Sequence, residues 1–207
     1  MDSTVGTSTF EDSYRRGDPP WVIGQPQPAL VELERDGEIS GTVLDIGCGD
    51  GHNAVHLASL GYDVVGIDAA PSALQRARDT AAARGAQVRF VQADALDLSG
   101  PPEYDTVIDS ALFHVFGPQD QSRYARGLHR VTRGRVHVLA LAEAGAQIGP
   151  KVSPEEIRAA FADGWRLDRL EPARYRGSAG GEAAAALGVA DGEIVDVPAW
   201  QVTAVRV

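Results

Sequence analysis

Residues 42–51 read Thr-Val-Leu-Asp-Ile-Gly-Cys-Gly-Asp-Gly, and this stretch decides the fold. Val43, Leu44 and Ile46 form a short apolar run, which is typical of a buried parallel strand. Three glycines follow at alternate positions, and a helical pattern begins near His52. A strand, a glycine-rich turn and a helix in this order predict a ligand-binding loop. Glycines allow the tight turn, and the first N–H groups of the helix point at a bound molecule.

Size and composition limit the class of protein. The chain has 207 residues, of which 43% are hydrophobic and 23% charged, and this fits one soluble α/β domain. The net charge of -10 argues against a general affinity for nucleic acid or for anionic membranes. The single cysteine, Cys48, excludes a disulfide framework within the chain, and we expect it to pack rather than to react. With neither a signal-peptide pattern nor a long apolar run, we expect a soluble cytoplasmic protein.

The segment before the glycine-rich turn has an unusual composition. Residues 1 to about 9 are small and polar, and we expect them to be frayed. Residues 19–28 read Pro-Pro-Trp-Val-Ile-Gly-Gln-Pro-Gln-Pro, and four prolines exclude a helix interior or a central strand. Such a segment is either a linker or an ordered loop, and Trp21 beside Ile23 favours the ordered loop. A short helix is expected over residues 29–38.

Strands and helices alternate along the rest of the chain. After the first strand, further strands are expected at 63–68, 87–92, 104–109 and 135–142, and helices at 52–60, 71–84, 120–131 and 154–161. This alternation predicts a mainly parallel sheet with helices on both faces. Two last strand candidates, 165–170 and 199–207, lie close in the chain without a long helix between them. The predicted fold class is therefore α/β, a Rossmann-like seven-stranded, mostly parallel sheet with an antiparallel edge hairpin.

Acidic residues at strand ends indicate which ligand the glycine-rich turn would hold. Asp68 ends the second strand, where a carboxylate can accept hydrogen bonds from ribose hydroxyls. To this point, a dinucleotide and an adenosyl ligand fit equally well. Asp45 would repel a pyrophosphate but suits a ligand with an ammonium group, and Asp94, after the third strand, can accept from an adenine amine. The sequence contains no Gly-x-x-x-x-Gly-Lys-Ser/Thr loop, which excludes a P-loop nucleotidase.

The order of these motifs resembles a known family. Asp-Ile-Gly-Cys-Gly-Asp-Gly at 45–51, Gly-Ile-Asp at 66–68, Gln-Ala-Asp-Ala at 92–95 and Tyr-Asp-Thr-Val-Ile-Asp at 104–109 resemble the successive motifs of class I S-adenosylmethionine-dependent methyltransferases. The resemblance covers roughly residues 20–145. It implies S-adenosyl-L-methionine as the cofactor.

Two further segments resemble one branch of that family. Residues 19–28 and the run Asp-Ser-Ala-Leu-Phe-His-Val-Phe at 109–116 are similar to small-molecule methyltransferases related to thiopurine, halide and thiol methyltransferases. The chain departs from the family at Thr132-Arg133-Gly134-Arg135, where Pro-Gly-Gly is often found. That turn is predicted to lie far from the chemistry.

The resemblance implies a single domain, residues 1–207, and a set of cofactor contacts. Within the domain it implies a cover of cofactor and substrate (1–40), a cofactor-binding core (41–145), and C-terminal edge strands with an insert (146–207). The insert at 176–192, with a short helix near 182–187, is either a substrate lid or a surface loop. The implied cofactor contacts are Trp21, Asp45, Gly47, Cys48, Gly49, Asn53, Asp68, Ala69, Asp94, Ala95, Asp109 and Ser110.

Candidate substrate contacts are Tyr14, Phe113, His114 and Phe116. Methyl transfer from a sulfonium can rely on positioning, and a base is needed only when the substrate must lose a proton. His114 follows the fourth strand at its carboxyl end, where ligands bind in such sheets, and is the candidate catalytic residue. The alternative is a histidine that caps its loop or packs against the cofactor. Tyr14 either closes over the substrate or fixes the N-terminal helix, and the two phenylalanines are pocket walls or core.

The predicted function is an S-adenosylmethionine-dependent methyltransferase (EC 2.1.1 type) that methylates O, N or S of a small natural product or xenobiotic. We expect a monomer or homodimer with no nucleic-acid or membrane partner. No pair of histidines with a carboxylate shows metal-ligand spacing, so no catalytic metal is expected. The alternatives are an NAD(P)-dependent oxidoreductase, against which Asp45 argues, and a methyltransferase-fold binder repurposed for another reaction.

Overall fold

A computed structural model describes residues 4–17, 19–144 and 149–207. The helices are α1 (Thr7–Arg16), α2 (Pro28–Arg35), α3 (His52–Ser59), α4 (Pro71–Arg84), α5 (Pro118–Val131), α6 (Pro154–Ala160) and α7 (Glu182–Leu187). The strands are β1 (Thr42–Ile46), β2 (Asp63–Asp68), β3 (Arg89–Gln92), β4 (Tyr104–Ser110), β5 (Thr132–Leu141), β6 (Trp165–Ala179) and β7 (Glu193–Arg206). The elements expected over residues 42–142 are all present.

The seven strands form one sheet in the order β3-β2-β1-β4-β5-β7-β6. Strands β1 to β5 run parallel, while β7 is antiparallel to both β5 and β6. The predicted mostly parallel sheet with an antiparallel edge hairpin is confirmed. The strand order reverses between β1 and β4, so the loops after these two strands diverge and leave a crevice at the carboxyl edge of the sheet.

Apolar side chains bury both faces of the sheet. On one face, Leu30 and Leu33 of α2 and Leu57 of α3 pack on β1 and β2. On the other face, Tyr124 and Leu128 of α5 belong to the larger cluster, which extends to α6 and the edge hairpin. Helices therefore cover the sheet on both sides, as the alternating pattern predicts. No helix of the described residues is both long and apolar enough to cross a membrane.

Regular structure in the N-terminal segment begins closer to the N-terminus than the sequence predicts. Residues 1 to about 9 were predicted to be frayed, but α1 begins at Thr7, and the N–H of Val5 donates to the carbonyl of Val115 at 2.9 Å. Val5 and Phe10 also pack against the large core cluster. Tertiary contacts therefore override a polar composition that gave no helix signal. Residues 1–3 lie outside the described residues.

The edge hairpin is much longer than its sequence pattern indicates. Strand β6 extends to Ala179 and β7 starts at Glu193, so most of the predicted insert at 176–192 is paired strand or the helix α7. Backbone pairing does not depend on side-chain hydrophobicity, and Pro172 is tolerated because β6 is an edge strand. The short helix expected near 182–187 is confirmed. The exact limits of the three predicted segments of the domain stay a prediction.

Candidate functional site

A cavity of about 500 Å³ lies at the carboxyl edge of the sheet, a volume common for small-molecule sites. Its floor comes from the loops after β1, β2, β3 and β4. Its walls come from two segments, which we call the cover (α1 and residues 19–28) and the arm (residues 175–197). Most of its wall is apolar.

The glycine-rich turn forms part of the floor. Gly47 lines the cavity with φ of 70°, and an added Cβ would lie 3.0 Å from Leu112 Cδ2. At Gly49, with φ of 55°, an added Cβ would lie 2.6 Å from the hydroxyl of Tyr14. Both positions therefore require glycine, because the turn is left-handed and other groups approach it closely. Cys48 between them is buried, and its N–H donates to the carbonyl of Ile67 at 2.9 Å.

Asp45 lies behind the glycine-rich turn rather than on the cavity wall. Its carboxylate accepts from the N–H of Ala54 in the first turn of α3, a helix whose N-cap residue, Gly51, offers no side chain. Within the described residues, its Oδ2 atom has no hydrogen-bond partner. Burial raises the pKa of Asp45 to about 8. The carboxyl group thus caps α3, and its predicted contact with a ligand ammonium stays a prediction.

Asp68 faces the cavity with both carboxylate oxygens held by backbone. Gly49 N–H donates to Oδ2 at 2.9 Å, and Ala70 N–H donates to Oδ1 at 2.8 Å. Burial raises the pKa of Asp68, while these backbone donors oppose the increase. Each oxygen retains capacity to accept a further bond, so the fixed carboxylate can receive two neighbouring hydroxyls. Ala69 lies beside it on the wall.

Asp94 and Ala95 lie on the same side of the cavity, after β3. Asp94 Oδ1 accepts from the N–H of Leu96 at 2.9 Å and so caps a short 3-10 turn, Ala95–Asp97. Ile67 and Ala93 add apolar wall next to these polar groups. Two carboxylates beside an apolar slot suit an adenosine, whose ribose and exocyclic amine are donors and whose ring is flat. The residues present therefore fit the cofactor that the motifs imply.

The loop after β4 is held by a buried carboxylate. Asp109 Oδ1 accepts from the N–H of Leu112 at 2.8 Å, and Oδ2 accepts from the hydroxyl of Tyr124 at 2.7 Å. Burial raises the pKa of Asp109 to about 6. Among the described residues, Ala111 is the one non-glycine residue with positive φ, 73°, and it lines the cavity together with Ser110. Asp109 therefore shapes the wall from behind, and its direct contact with a cofactor stays a prediction.

The two phenylalanines of this loop have different positions. Phe116 lines the cavity, although it is mostly buried. Phe113 is fully buried between Tyr124 and Phe161, with ring centroids 6.2 and 5.7 Å away, and it is not part of the cavity wall. Of the two alternatives for Phe113, core packing is the one that the structure favours. Trp165, the first residue of β6, is buried in the same core cluster.

His114 lies on the cavity wall and is buried, with only 6% of its surface exposed. Its Nδ1 atom accepts a hydrogen bond from the N–H of Leu141 at 3.2 Å. Burial lowers the pKa of His114 to about 4, so the ring is neutral at physiological pH. His114 is hydrogen-bonded to the end of β5, whereas Asp68 ends β2 and Asp94 follows β3, two strands that lie on the far side of β1 and β4 in the sheet. The candidate catalytic residue therefore lies at the end of the cavity away from these two carboxylates.

The cover closes over the glycine-rich turn through two aromatic residues. Trp21 Nε1 donates to the hydroxyl of Tyr14 at 2.8 Å, and the two rings meet edge to face with centroids 6.1 Å apart. Both residues line the cavity. Arg76 of α4 donates to the carbonyl of Tyr14 at 2.7 Å, and Glu11 caps α4 by accepting from the N–H of Ser72 at 3.0 Å. Tyr14 therefore both anchors α1 and contributes to the wall.

Asn53, a predicted cofactor contact, binds the cover, and its contact with a cofactor stays a prediction. Its Oδ1 atom accepts from the N–H of Gln27 at 2.9 Å. The buried side chain of Gln27 donates in turn to the carbonyl of Arg176 at 2.7 Å and accepts from its N–H at 3.1 Å. The N–H of Ser178 donates to the carbonyl of Pro20 at 2.7 Å. Residues 19–28 are thus an ordered loop, as predicted, and they connect α3, which follows the glycine-rich turn, to the arm.

The arm supplies cavity residues that the sequence reasoning missed. Tyr175, Gly177 and Ala179 alternate along β6 and are buried toward the cavity, and Ala183 and Leu187 of α7 complete this side. The residues of β6 that face the cavity recur at every second position, as expected for a strand with one buried face. Because two of them are glycine and alanine, their hydrophobicity differs little from that of their neighbours, and the pattern is hard to see in the sequence. The described residues contain no cluster of three or more His, Cys, Asp or Glu residues that could hold a metal.

Comparison with known proteins extends the motif resemblance to nearly the whole chain. A family described as "Methyltransferase domain" matches residues 43–134. The 2-heptyl-1-hydroxyquinolin-4(1H)-one methyltransferase of Mycobacteroides abscessus is 37% identical over 182 residues, which are 80% of this chain and 79% of that protein. The probable thiol methyltransferase 2 of Arabidopsis thaliana is 26% identical over 127 residues, 60% of this chain and 56% of that protein.

One solved structure is similar over both the core and the two flanking segments. It comes from work on the conversion of a disulfide bond into a thioacetal group during echinomycin biosynthesis. It superposes with a TM-score of 0.85 at 38% identity, and the match covers 97% of this chain and 91% of that one. The similarity therefore includes the cover and the arm as well as the glycine-rich floor.

Proposed function

The chain belongs to the S-adenosylmethionine-dependent methyltransferases, and on that premise we propose that it methylates O, N or S of a small aromatic molecule. The cavity carries this proposal: two carboxylates lie where β2 and β3 end, and a mostly apolar wall with one histidine among the described lining residues lies toward the end of β5. The relatives include a methyltransferase named for a hydroxyquinolinone and a probable thiol methyltransferase. Neither of them is an oxidoreductase.

The proposal places the cofactor along the floor of the cavity. Asp68 would accept from the ribose hydroxyls, Asp94 and the backbone of Ala95 would bind the adenine, and Gly47 and Ser110 would face the methionine part. Bound S-adenosylmethionine supplies an electrophilic methyl group on a positively charged sulfur. Asp45 and Asp109 support the floor from behind, since Asp45 caps the helix that follows the glycine-rich turn and Asp109 holds the loop after β4 through backbone N–H groups.

The acceptor would occupy the space between His114, Phe116 and the arm. This end is lined by side chains such as Leu141, Leu187 and Val195, which carry no hydrogen-bonding groups. An apolar wall binds a flat ring or an alkyl substituent through burial, at about 25 cal/mol per Å². For the predicted insert at 176–192, the two alternatives were a substrate lid and a surface loop. We propose the lid, because Ala183 and Leu187 of α7 face the cavity.

Cofactor binding is the first test. Asp68→Ala should weaken S-adenosylmethionine binding by about 1.5–3 kcal/mol, the scale of a hydrogen bond to a charged group. Titration calorimetry measures this directly, and Asp97→Ala is the matched control, because Asp97 is exposed and does not line the cavity. An unchanged affinity in a folded Asp68→Ala protein would refute the ribose assignment.

Acceptor chemistry is the second test. A panel of small phenols, thiols, amines and halide with methyl-labelled cofactor identifies which atom is methylated. Tight cofactor binding with no methyl transfer to any member would favour the repurposed binder instead. We also propose that the protein is a monomer or a homodimer and that it acts in the cytoplasm. Light scattering of the purified protein distinguishes the monomer from the homodimer.

A further inference from the structure

The orientation of His114 determines which of its ring nitrogens carries hydrogen. Nδ1 accepts from the backbone N–H of Leu141 at 3.2 Å, so the lone pair of the neutral ring is used there. A neutral imidazole has one donor and one acceptor nitrogen, and its hydrogen must then reside on Nε2. Leu141 is the last residue of β5, and it pairs with Ala199 of the neighbouring strand β7. A regular strand thus fixes the tautomer.

In this state His114 has little capacity to act as a base. Taking a proton at Nε2 would first require the hydrogen to move to Nδ1, where it would face the N–H of Leu141. Burial lowers the pKa of His114 to about 4, and within the part of the chain that the structure describes no carboxylate opposes this effect by stabilising a charged ring. The arrangement differs from a base–carboxylate pair, in which an acid orients and stabilises the imidazolium.

The other titratable groups of the cavity do not replace it. Within the described residues that line the cavity, they are Tyr14, Tyr175, Asp68 and Asp94. Burial raises the pKa of both tyrosines, and the Tyr14 hydroxyl accepts a hydrogen bond from Trp21. The two aspartates lie at the adenosine end of the proposed site. The acceptor end therefore offers a hydrogen-bond donor and no base.

Resting on the proposed function, we propose that His114 is a fixed hydrogen-bond donor that selects aromatic acceptors whose hydroxyl group is already ionised. An oxyanion has no proton to lose before it receives a methyl group, so the missing base is not needed. An N–H bond to an oxyanion is charge-assisted and shorter and stronger than a bond to a neutral hydroxyl. The apolar wall strengthens this hydrogen bond by excluding water, although burial by itself disfavours a charge. The preference for the oxyanion therefore comes from the Nε2 donor and from the positive charge of the bound cofactor.

The binding test uses a ligand that reports its own ionisation state. 4-Nitrophenol and its phenolate absorb at different wavelengths, and sinefungin is an unreactive cofactor analogue with an amine in place of the sulfonium. With sinefungin present, the wild-type protein should bind the phenolate even at a pH where the free ligand is mainly phenol. His114→Phe should lower that affinity about tenfold or more. His114→Gln should retain most of it, because the glutamine amide places a donor near the position of Nε2.

Two controls separate a donor from a structural residue. His56→Gln makes the same substitution on α3 outside the cavity wall and should leave binding unchanged. 4-Nitroanisole, which cannot ionise, should bind the wild-type and His114→Phe proteins with similar affinity. A phenol spectrum for the bound ligand, or equal phenolate affinity in wild type and His114→Phe, overturns the proposal.

The kinetic arm distinguishes this inference from the proposed function. Across phenols of graded acidity, the acid limb of kcat/KM should move with the pKa of the acceptor. A limb fixed at one pH for all acceptors indicates a base on the enzyme and overturns the inference while leaving methyl transfer intact. Absence of methyl transfer from every acceptor at every pH counts against the proposed function, and the nitrophenolate spectrum still decides the role of His114.

Discussion

Asp45→Asn should make the cofactor-free protein more stable at alkaline pH. Asp45 is a buried carboxyl group with one oxygen on Ala54 N–H and, within the described residues, the other without a partner. Asparagine keeps an acceptor oxygen for Ala54 and cannot ionise. The substitution therefore removes a buried charge without removing the cap on α3.

The magnitude follows from the pKa of Asp45 in the two states. It is about 8 in the folded protein, because of burial, and about 3.9 in an unfolded chain. Between these values the folded state binds the extra proton, so the contribution to stability is complete below about pH 4 and is lost as pH rises to about 8. Each pH unit in this window costs about 1.36 kcal/mol. From pH 5 to pH 8, the wild-type protein should thus lose about 4 kcal/mol that the variant retains.

Urea unfolding of both proteins at pH 5 and pH 8 measures this difference. Asp68 and Asp109 titrate in both proteins, so the difference between the two curves reports Asp45 together with its repulsion by these two carboxylates. The control is Asp97→Asn, a substitution at an exposed position. Its free energy of unfolding should change with pH in parallel with that of the wild type. If the unfolding free energies of wild type and Asp45→Asn also change in parallel with pH, Asp45 is already ionised in the folded protein and the reasoning is refuted.

Two further substitutions test the contacts that hold the cavity walls. Gln27→Ala removes both side-chain hydrogen bonds to Arg176 and should lower the free energy of unfolding by about 2–3 kcal/mol in urea titrations, whereas exposed Gln75→Ala should change it by less than about 0.5 kcal/mol. Tyr124→Phe removes the donor to Asp109, whose pKa is about 6, so its cost of about 1.5–3 kcal/mol should be larger at pH 8 than at pH 5; an equal loss at both pH values would contradict this.

The sheet could be predicted because its signals are local. The apolar runs of β1, β2 and β4 are each bounded by polar residues or glycine, so their limits can be read from the sequence. The turn after β1 needs its glycines because its backbone is left-handed. The edge hairpin gave weaker signals. Its arm is built from small residues such as Gly177 and Ala179, whose burial depends on what packs against them rather than on their own hydrophobicity.

The carboxylates of the site show where sequence reasoning stops. Asp45, Asp68 and Asp109 all lie at or near carboxyl ends of strands, so the sequence placed them at the correct edge of the sheet. Only Asp68 faces the cavity. Successive side chains of a strand point to opposite faces, and which face meets the ligand depends on the helices packed there. The direction in which each carboxylate points could therefore not be predicted from its position in the sequence.

The contacts between cover and arm also constrain the order in which the protein can assemble. Gln27 and Arg176 are 149 residues apart in the chain, yet the hydrogen bonds between them connect the cover to the arm. Contacts of such long range close a large loop and form slowly, whereas the paired residues Thr42 and Asp63 of β1 and β2 are 21 positions apart, and Val43 and Thr106 of β1 and β4 are 63 apart. During synthesis, the floor of the cavity can form before the arm has been made. The enzyme would thus acquire its cofactor platform first and its acceptor chamber last.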